Sequence, residues 1–381
     1  MSDVLLTEDE LLLRSSVREL ADKELAPRAS HYDQNEEFPW ENLRRMAAMG
    51  LFGLTVDEAY GGSGGTARQL AVVIEEIARG CGATSVIYLA HLSLCTQFLH
   101  TFGTEDQKQR FVPQLVSLDR IGAFALTEPG AGSDAAAIRT TLTRVDGHYV
   151  LNGTKLFTTN AVEADTFVVL ATHAPAQRTR GIDAVVVKRD TEGFTINPQH
   201  GKMGMRGSST AELVFDDCPV PEQNRLGAEG EGWAQTMELL NTSRVGIAAQ
   251  CVGLAEAAYK ASVRYVGQRE TFGQQLGGFQ SVRWTIADMA TEIDAARLLV
   301  HRAATLLDRG MPFATEASMA KLFASRVAVE SAHRAVQIHG GTGYFAPTTA
   351  ERLYRDARVT EIYEGTSEVQ RMIISQDILG G

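Results

Sequence analysis

The spacing of apolar residues changes twice along the chain. Up to about residue 120 it is helical. Leu13, Val17, Leu20 and Ala21 share one face behind Thr7-x-x-Glu10, a reciprocal capping box, and Pro27 is expected to stop that helix. Pro39 opens a second helix with Leu43, Met46 and Ala47 on one face and Gly50 as its terminator. Past a glycine-rich stretch at 61–65, helical spacing returns over about 67–79, 83–102 and 105–118. The pattern then shortens. An apolar run at 121–127 is followed by 138–145 and 149–152 around Asp146-Gly147, a two-residue hairpin signal. Short runs at 166–171, 184–188, 194–196 and 211–215 follow with no long helical pattern between them, which predicts an antiparallel barrel or sandwich. From Gly232 the helical period resumes over about 233–267, 278–309 and 314–339, with a shorter pair at the end, predicting a four-helix bundle. The expected class is α+β in three parts: a helical domain at 1–120, a β domain at 121–231 and a helical bundle at 232–381.

Charge and composition narrow the function classes. The stretch 84–102 carries no formal charge and approaches membrane-span length, yet His91, Ser93, Thr96, Gln97 and His100 within it point to a helix buried inside a bundle. Glu8, Asp9 and Glu10 stand where a signal peptide needs basic residues, so a cytoplasmic chain with no membrane association is expected. The cysteines at 81, 95, 218 and 251 form no CxxC and no Cys/His ligand spacing; buried thiols and no metal site are expected. The 381 residues hold 36 Lys and Arg against 47 Asp and Glu, and a net charge of −11 argues against nucleic-acid binding. It does not exclude an anionic ligand, because a few placed arginines or helix N-termini suffice.

Generic motifs mislead here. Gly-x-Gly-x-x-Ala occurs from Gly62, Gly130 and Gly341, none of them in a βαβ frame. The Gly-x-Ser-x-Gly match at 61–65 reads more simply as a flexible surface loop than as a nucleophile elbow. Two other segments carry chemistry. Thr127-Glu-Pro-Gly-Ala-Gly-Ser133 ends an apolar strand in a turn where Gly130 and Gly132 admit a ligand close to the backbone, beside the hydroxyls of Thr127 and Ser133. Near the C-terminus, Ile362-Tyr-Glu-Gly-Thr-Ser367 leads into an apolar helix expected to be capped by Ser367-x-x-Gln370. Glu364 there reads either as a solvated loop carboxylate or as a general base whose pKa its apolar neighbours raise; the residues alone leave both open.

Taken together, six segments in order resemble the acyl-CoA dehydrogenase family over essentially the whole chain. They are Leu126-Thr-Glu-Pro-Gly-Ala-Gly-Ser-Asp134, Lys155-Leu-Phe-Thr-Thr-Asn160, Lys202-Met-Gly-Met-Arg-Gly-Ser208, Arg269-Glu-Thr-Phe-Gly273 with Phe279-Gln280, Gln337-Ile-His-Gly-Gly341, and Arg355-Asp-Ala-Arg-Val-Thr-Glu-Ile-Tyr-Glu-Gly-Thr366. The resemblance implies FAD as cofactor, an acyl-CoA substrate oxidised to the trans-2-enoyl-CoA, electron-transferring flavoprotein as acceptor and a homo-oligomer, a dimer of dimers. It implies Glu364 as the base that takes the α-proton. Its implied flavin contacts are Phe124, Leu126, Thr127, Gly132, Ser133, Phe157, Thr158, Thr159, Thr366 and Glu368. Arg269, Phe272, Gln280, Gln337, Gly340 and Gly341 match residues that reach FAD across a dimer interface. Ser133, Asn241, Arg244, Tyr363 and Gly365 match substrate contacts.

Departures from the family pattern qualify this. Asn241 stands where Asp is usual, and Phe157 where Trp is common; Phe keeps the stacking face and loses the indole N–H. Isovaleryl- and long-chain-type members carry the base beside the arginine of the Arg244 helix and have Gly or Ala at the position of Glu364, whereas this chain has Ser243 and Glu364. The segment 85–92 matches the acyl-pocket lining. Tyr88, His91 and Leu92 are bulky and no arginine lies between Gly80 and Arg110, which points to an uncharged short, branched or medium acyl chain. His91 reads either as a satisfied core histidine or as a partner for a polar acyl group. Two other functions remain in view: an oxygen-using acyl-CoA oxidase, and a non-catalytic flavin-binding homologue, whose basic C-terminal extension is not matched here, the chain stopping at Gly381.

Overall fold

The computed structural model describes residues 5–380, which fold as helices, then a sheet, then helices. The first helices are α1 (Glu8–Leu20), α2 (Ala26–Asn35) and α3 (Trp40–Ala48). Thr7 and Glu10 close the expected capping box, a feature that stabilises a helix by about 1 kcal/mol. Pro27, however, does not end this helix. A wide π-type turn over Ala21–Leu25 joins α1 to α2, and Pro27 sits in the first turn of α2, where its missing N–H costs least. The glycine loop at 61–65 is also more ordered than expected. The amides of Gly62, Ser63, Gly64 and Gly65 bond to the carbonyls of Asp57, Gly53, Val56 and Leu54, an approach so close that a Cβ on Gly62 would stand 2.0 Å from the Val56 carbonyl oxygen.

Helices α4 (Ala67–Gly80), α5 (Gly82–Tyr88), α6 (Gln97–Phe102) and α7 (Glu105–Val116) complete the first part, α5 and α6 being joined by a π-type turn over Leu89–Thr96. The uncharged stretch 84–102 packs into the interior, with Tyr88, His91, Leu92 and Phe98 fully enclosed. Among the described residues no helix is long and apolar enough to cross a membrane.

The middle part is an eight-stranded sheet of β1 (Gly122–Ala125), β2 (Thr141–Val145), β3 (His148–Thr159), β4 (Thr166–Thr172), β5 (Ile182–Lys188), β6 (Phe194–Pro198), β7 (Thr210–Pro221) and β8 (Arg225–Leu226). Its order is β6-β7-β3-β2-β4-β5-β8, with β1 alongside β4, and it is not closed into a barrel. Most pairs are antiparallel, as the alternation predicts, but β1 runs parallel to β4, and β2 meets β4 in parallel at the single pair Thr141 and Thr172. At the β2–β3 hairpin, Asp146 and Gly147 take φ values of 37° and 85°, which suits the right-handed twist of the strands.

The last part is built on α8 (Gly232–Gln268). A small hairpin, β9 (Glu270–Thr271) and β10 (Gln274–Gln275), leads to α9 (Gln280–Asp308), α10 (Ala314–His339), α11 (Gly341–Tyr344), α12 (Thr349–Arg358) and α13 (Ser367–Leu379). Ala317, Ala320, Ala324 and Ala328 on the inner face of α10 are buried, so this helix can lie close against its neighbours. Buried ions lock the parts together. Arg297 of α9 bonds Glu75 of α4 and Glu256 of α8, and Arg355 of α12 bonds Asp33 of α2. All four cysteines are free and buried.

Candidate active site

Glu364 lies in the short turn between α12 and α13. Its φ of 51° and that of Gly365, 97°, are both left-handed. Glycine suits position 365 because its φ of 97° strains any other side chain, and a Cβ there would also displace the Gln370 amide, 2.6 Å away. The turn is held from below: Gln370 Nε2 donates to the carbonyls of Gly365 at 2.9 Å and Glu364 at 3.3 Å, and Lys321 Nζ donates to the Gly365 carbonyl at 2.7 Å. The cap of α13 is Thr366, whose hydroxyl accepts from the Val369 amide, one residue earlier than the expected Ser367.

The Glu364 side chain points at α8. Its Oε2 accepts a 2.5 Å hydrogen bond from the Ser243 hydroxyl. Burial of the carboxyl group raises its pKa above the usual carboxylate range, while Ser243, Lys321 and Arg244 oppose the rise. Glu364 as a residue is half-buried, and the hydrogen bond from Ser243 sets its carboxylate apart from a freely solvated one. Next to Ser243, Arg244 is 5% exposed. Its Nη1 donates to Asn241 Oδ1 at 2.5 Å, so Asn241 keeps the acceptor that the usual Asp supplies, while its Nε is buried with no partner. Tyr363 donates its hydroxyl to Gln250, and Gln250 in turn donates to Ser85 at 2.8 Å.

His91 resolves to its structural reading. Nε2 faces the Leu115 carbonyl at 2.9 Å and Nδ1 accepts from the Gly122 amide at 3.1 Å, with burial pushing its pKa down to about 4. Neither nitrogen is left for an acyl group.

A second region is assembled on the sheet. The turn after β1 carries Leu126, Thr127 and, at its tip, exposed Gly132 and Ser133; Phe124 is half-buried in β1 itself. Gly130 and Gly132 open onto free space on the side a Cβ would occupy. The turn is braced by a buried pair that sequence reasoning did not assign: Lys155, fully enclosed, donates to Leu126 O at 3.1 Å and to Glu128 at 2.7 Å. Glu128 also accepts from the amides of Arg139 and Thr140. Burial pushes Lys155 down to about 8, whereas in Glu128 the effect of burial is outweighed by Lys155 and these amides, and its pKa is lowered. The β3–β7 register slips between Lys155 and Thr158, a bulge that turns Phe157 outward with φ 56° and 65% exposure. Beside it, the Thr158 hydroxyl is buried with no partner, and Thr159 is half-buried.

An exposed aromatic face, an orphaned hydroxyl and open glycines fit a flat polar–aromatic group such as a flavin. Thr366 and Glu368, at the start of α13, are half-buried and exposed. The remaining assigned residues gather elsewhere. Arg269, Phe272 and Gln280 are exposed on and after the β9–β10 hairpin, and Gln337, Gly340 and Gly341 at the end of α10. Tyr265 joins these ends through the His339 carbonyl at 3.3 Å. Among the described residues no hydrogen bond links either group to Thr127, Phe157 or Glu364.

A helix–sheet–helix chain that carries a half-buried carboxylate fixed by Ser243 and a flavin-compatible turn defines a class: a flavin-dependent oxidoreductase. Family models describing the acyl-CoA dehydrogenase N-terminal, middle and C-terminal domains match residues 7–119, 123–218 and 230–379. The chain belongs to the acyl-CoA dehydrogenase family, enzymes of fatty acid metabolism. It is 47% identical to an acyl-CoA dehydrogenase of Bacillus subtilis over 98% of this chain and 99% of that one. Among solved structures, butyryl-CoA dehydrogenase of Megasphaera elsdenii is 39% identical with a TM-score of 0.95, covering 98% and 99%. A chain solved with the electron transferring flavoprotein of Acidaminococcus fermentans, in work towards a mechanism of flavin-based electron bifurcation, is 42% identical with a TM-score of 0.96, covering 99% of both.

Proposed function

We propose that this chain removes two hydrogens from the α and β carbons of an acyl-CoA thioester, leaving the trans-2-enoyl-CoA, with Glu364 as the base. The observation that carries this reading is the half-buried Glu364 carboxylate with its Oε2 fixed by the Ser243 hydroxyl, and enclosure of the group raises its pKa. Bound FAD would supply the acceptor for the β-hydride. The residues proposed to hold it are Phe124, Leu126, Thr127, Gly132, Ser133, Phe157, Thr158, Thr159, Thr366 and Glu368, with Arg269, Phe272, Gln280, Gln337, Gly340 and Gly341 contributed across an interface between two copies. The Glu364 amide orients the thioester carbonyl, which acidifies the α-carbon while the carboxylate takes its proton. Arg244 and Asn241 meet the CoA portion with Ser133; the unpartnered Nε of buried Arg244 is a donor available to it. Tyr363 and Gly365 flank the base on the substrate side.

An uncharged, short acyl group fits best. His91 is committed to backbone, Tyr88 donates to the Leu51 carbonyl, and Gln250 is bonded to both Tyr363 and Ser85, so none of them offers a free cation to a distal carboxylate. The butyryl-CoA dehydrogenase likeness supports the same length class. Electrons are proposed to pass to an electron-transferring flavoprotein, a reading supported by the Acidaminococcus structure. Division of the chain near 120 and 231 accompanies this reading.

Anaerobic flavin bleaching by a series of acyl-CoA thioesters tests it. Bleaching should be fastest with short, uncharged chains, and reoxidation by electron-transferring flavoprotein should outpace reoxidation in air. Failure of every acyl-CoA to bleach the flavin overturns the reaction; rapid reoxidation by oxygen alone overturns the acceptor in favour of an oxidase.

A further inference from the structure

The inner face of α10 is lined by small residues, Ala317, Ala320, Ala324, Ser325 and Ala328, all buried. Lys321 lies on that same face and is also fully buried. An ammonium enclosed this way is expensive unless something nearby balances it. Among the described residues its hydrogen bond is to the Gly365 carbonyl at 2.7 Å, and no carboxylate lies within ion-pair distance. The ionisable groups facing it are few. Cys251 on α8 has its pKa pushed up to about 12 by burial and is a neutral thiol; Arg244, also on α8, is a like charge; Glu361 is already paired with Arg358 at 2.9 Å. Glu364 is the remaining anion, one residue from the carbonyl that Lys321 holds.

We propose that Lys321 is a positioning residue for proton abstraction: anchored on the Gly365 carbonyl, its ammonium fixes the left-handed turn that carries Glu364 and balances the charge of that carboxylate. The proposal rests on the reading of Glu364 as the base. It gives the buried lysine two separable duties. The hydrogen bond, with those from Gln370, keeps two successive positive-φ residues in place. The charge favours the ionised, proton-accepting form of Glu364 across the turn. Burial pushes Lys321 itself down to about 8, so the second duty is fully present below pH 8 and fades above it.

Three variants of the holoenzyme separate these duties: Lys321→Met removes both, Lys321→Gln keeps a donor without charge, and Lys321→Arg keeps the charge. Two readouts apply, the pH profile of kcat and hydrogen exchange of the segment 359–370. With Lys321→Met and Lys321→Gln, the acidic limb should move up by about one pH unit, so that kcat on that limb falls about tenfold while KM changes little. Exchange of the segment should quicken in Lys321→Met and less so in Lys321→Gln. Lys321→Arg should keep the limb near its original pH even where it lowers Tm through misfit. An unmoved limb in flavin-loaded Lys321→Gln, or an equal displacement in Lys321→Arg, overturns the charge role. Unchanged exchange in Lys321→Met overturns the anchoring role, and that readout needs no turnover. Glu364→Gln is the control: if it turns over normally, the base reading falls, whereas an inactive Glu364→Gln beside an unmoved limb removes only Lys321.

Discussion

Glu364 meets two opposing demands. As the proposed base it must be basic enough to take a proton from carbon, which enclosure favours, and still be ionised at working pH, which Ser243, Lys321 and Arg244 favour. Activity should therefore rise with pH through a limb lying above the ordinary carboxylate value of 4.5. Because the folded-state pKa is the raised one, the native chain holds this proton more tightly than the unfolded chain. Its contribution to stability is thus greatest below 4.5 and declines as pH rises through the folded value. Ser243→Ala removes a hydrogen bond to the ionised form and should shift the limb further upward, by about one unit, with flavin content unchanged; a downward shift in kcat-versus-pH measurements would contradict this. Glu364→Gln should retain flavin and lose turnover by at least ~100-fold in steady-state assay. At this scale His91 shows what a residue list conceals. A lone histidine in an apolar helix has two readings, and only the positions of the Leu115 carbonyl and Gly122 amide decided between them.

The elements that present these residues were legible to different degrees. Helices with capping boxes and the Asp146-Gly147 hairpin announce themselves through local hydrogen-bonding chemistry. Pro27 did not behave as its type suggests, because a π-type turn ahead of it let the helix continue. The glycine loop at 61–65 departs from expectation for a related reason: its glycines serve close backbone contact with 53–57. The Lys155–Glu128 brace left little trace, because Lys155 stands in β3 between the polar residues Asn152 and Thr154 and the threonines Thr158 and Thr159. Lys321 left a clearer one, a cation on an alanine-lined helix face. Glu128→Ala leaves Lys155 buried and unpaired, which should cost about 3–5 kcal/mol and loosen the turn from Thr127 to Ser133. Thermal unfolding and flavin retention of the purified variant check both effects. Gly365→Ala forces a side chain into a left-handed turn against Gln370 and should lower turnover more than flavin binding, as paired activity and absorbance measurements would reveal.

For the whole molecule, exposed apolar residues carry the remaining information. Phe272 is 93% exposed, Tyr344 77%, Leu379 81% and Trp284 60%, more than isolated surface hydrophobics explain. Arg269, Phe272 and Gln280 are exposed on and beside the β9–β10 hairpin, and the proposal that they serve a neighbouring copy's flavin requires an assembly. Sedimentation should give a mass of two or four chains. Phe272→Asp should lower both the assembly and its flavin content; a monomer that keeps its flavin would exclude a shared site.

The sequence alone determined the helix–sheet–helix order, since hydrophobic period and caps are local properties of a chain, and its motif spacing singled out Glu364 as a candidate without deciding its role. Tertiary structure decided what those residues experience. Enclosure by the folded chain raises the Glu364 pKa, and Ser243, Arg244 and Lys321, on α8 and α10 and 43 or more positions away, come to oppose that rise only once the bundle closes. Burial, and with it the strength of every charge in the site, exists only after distant segments have excluded water from one another.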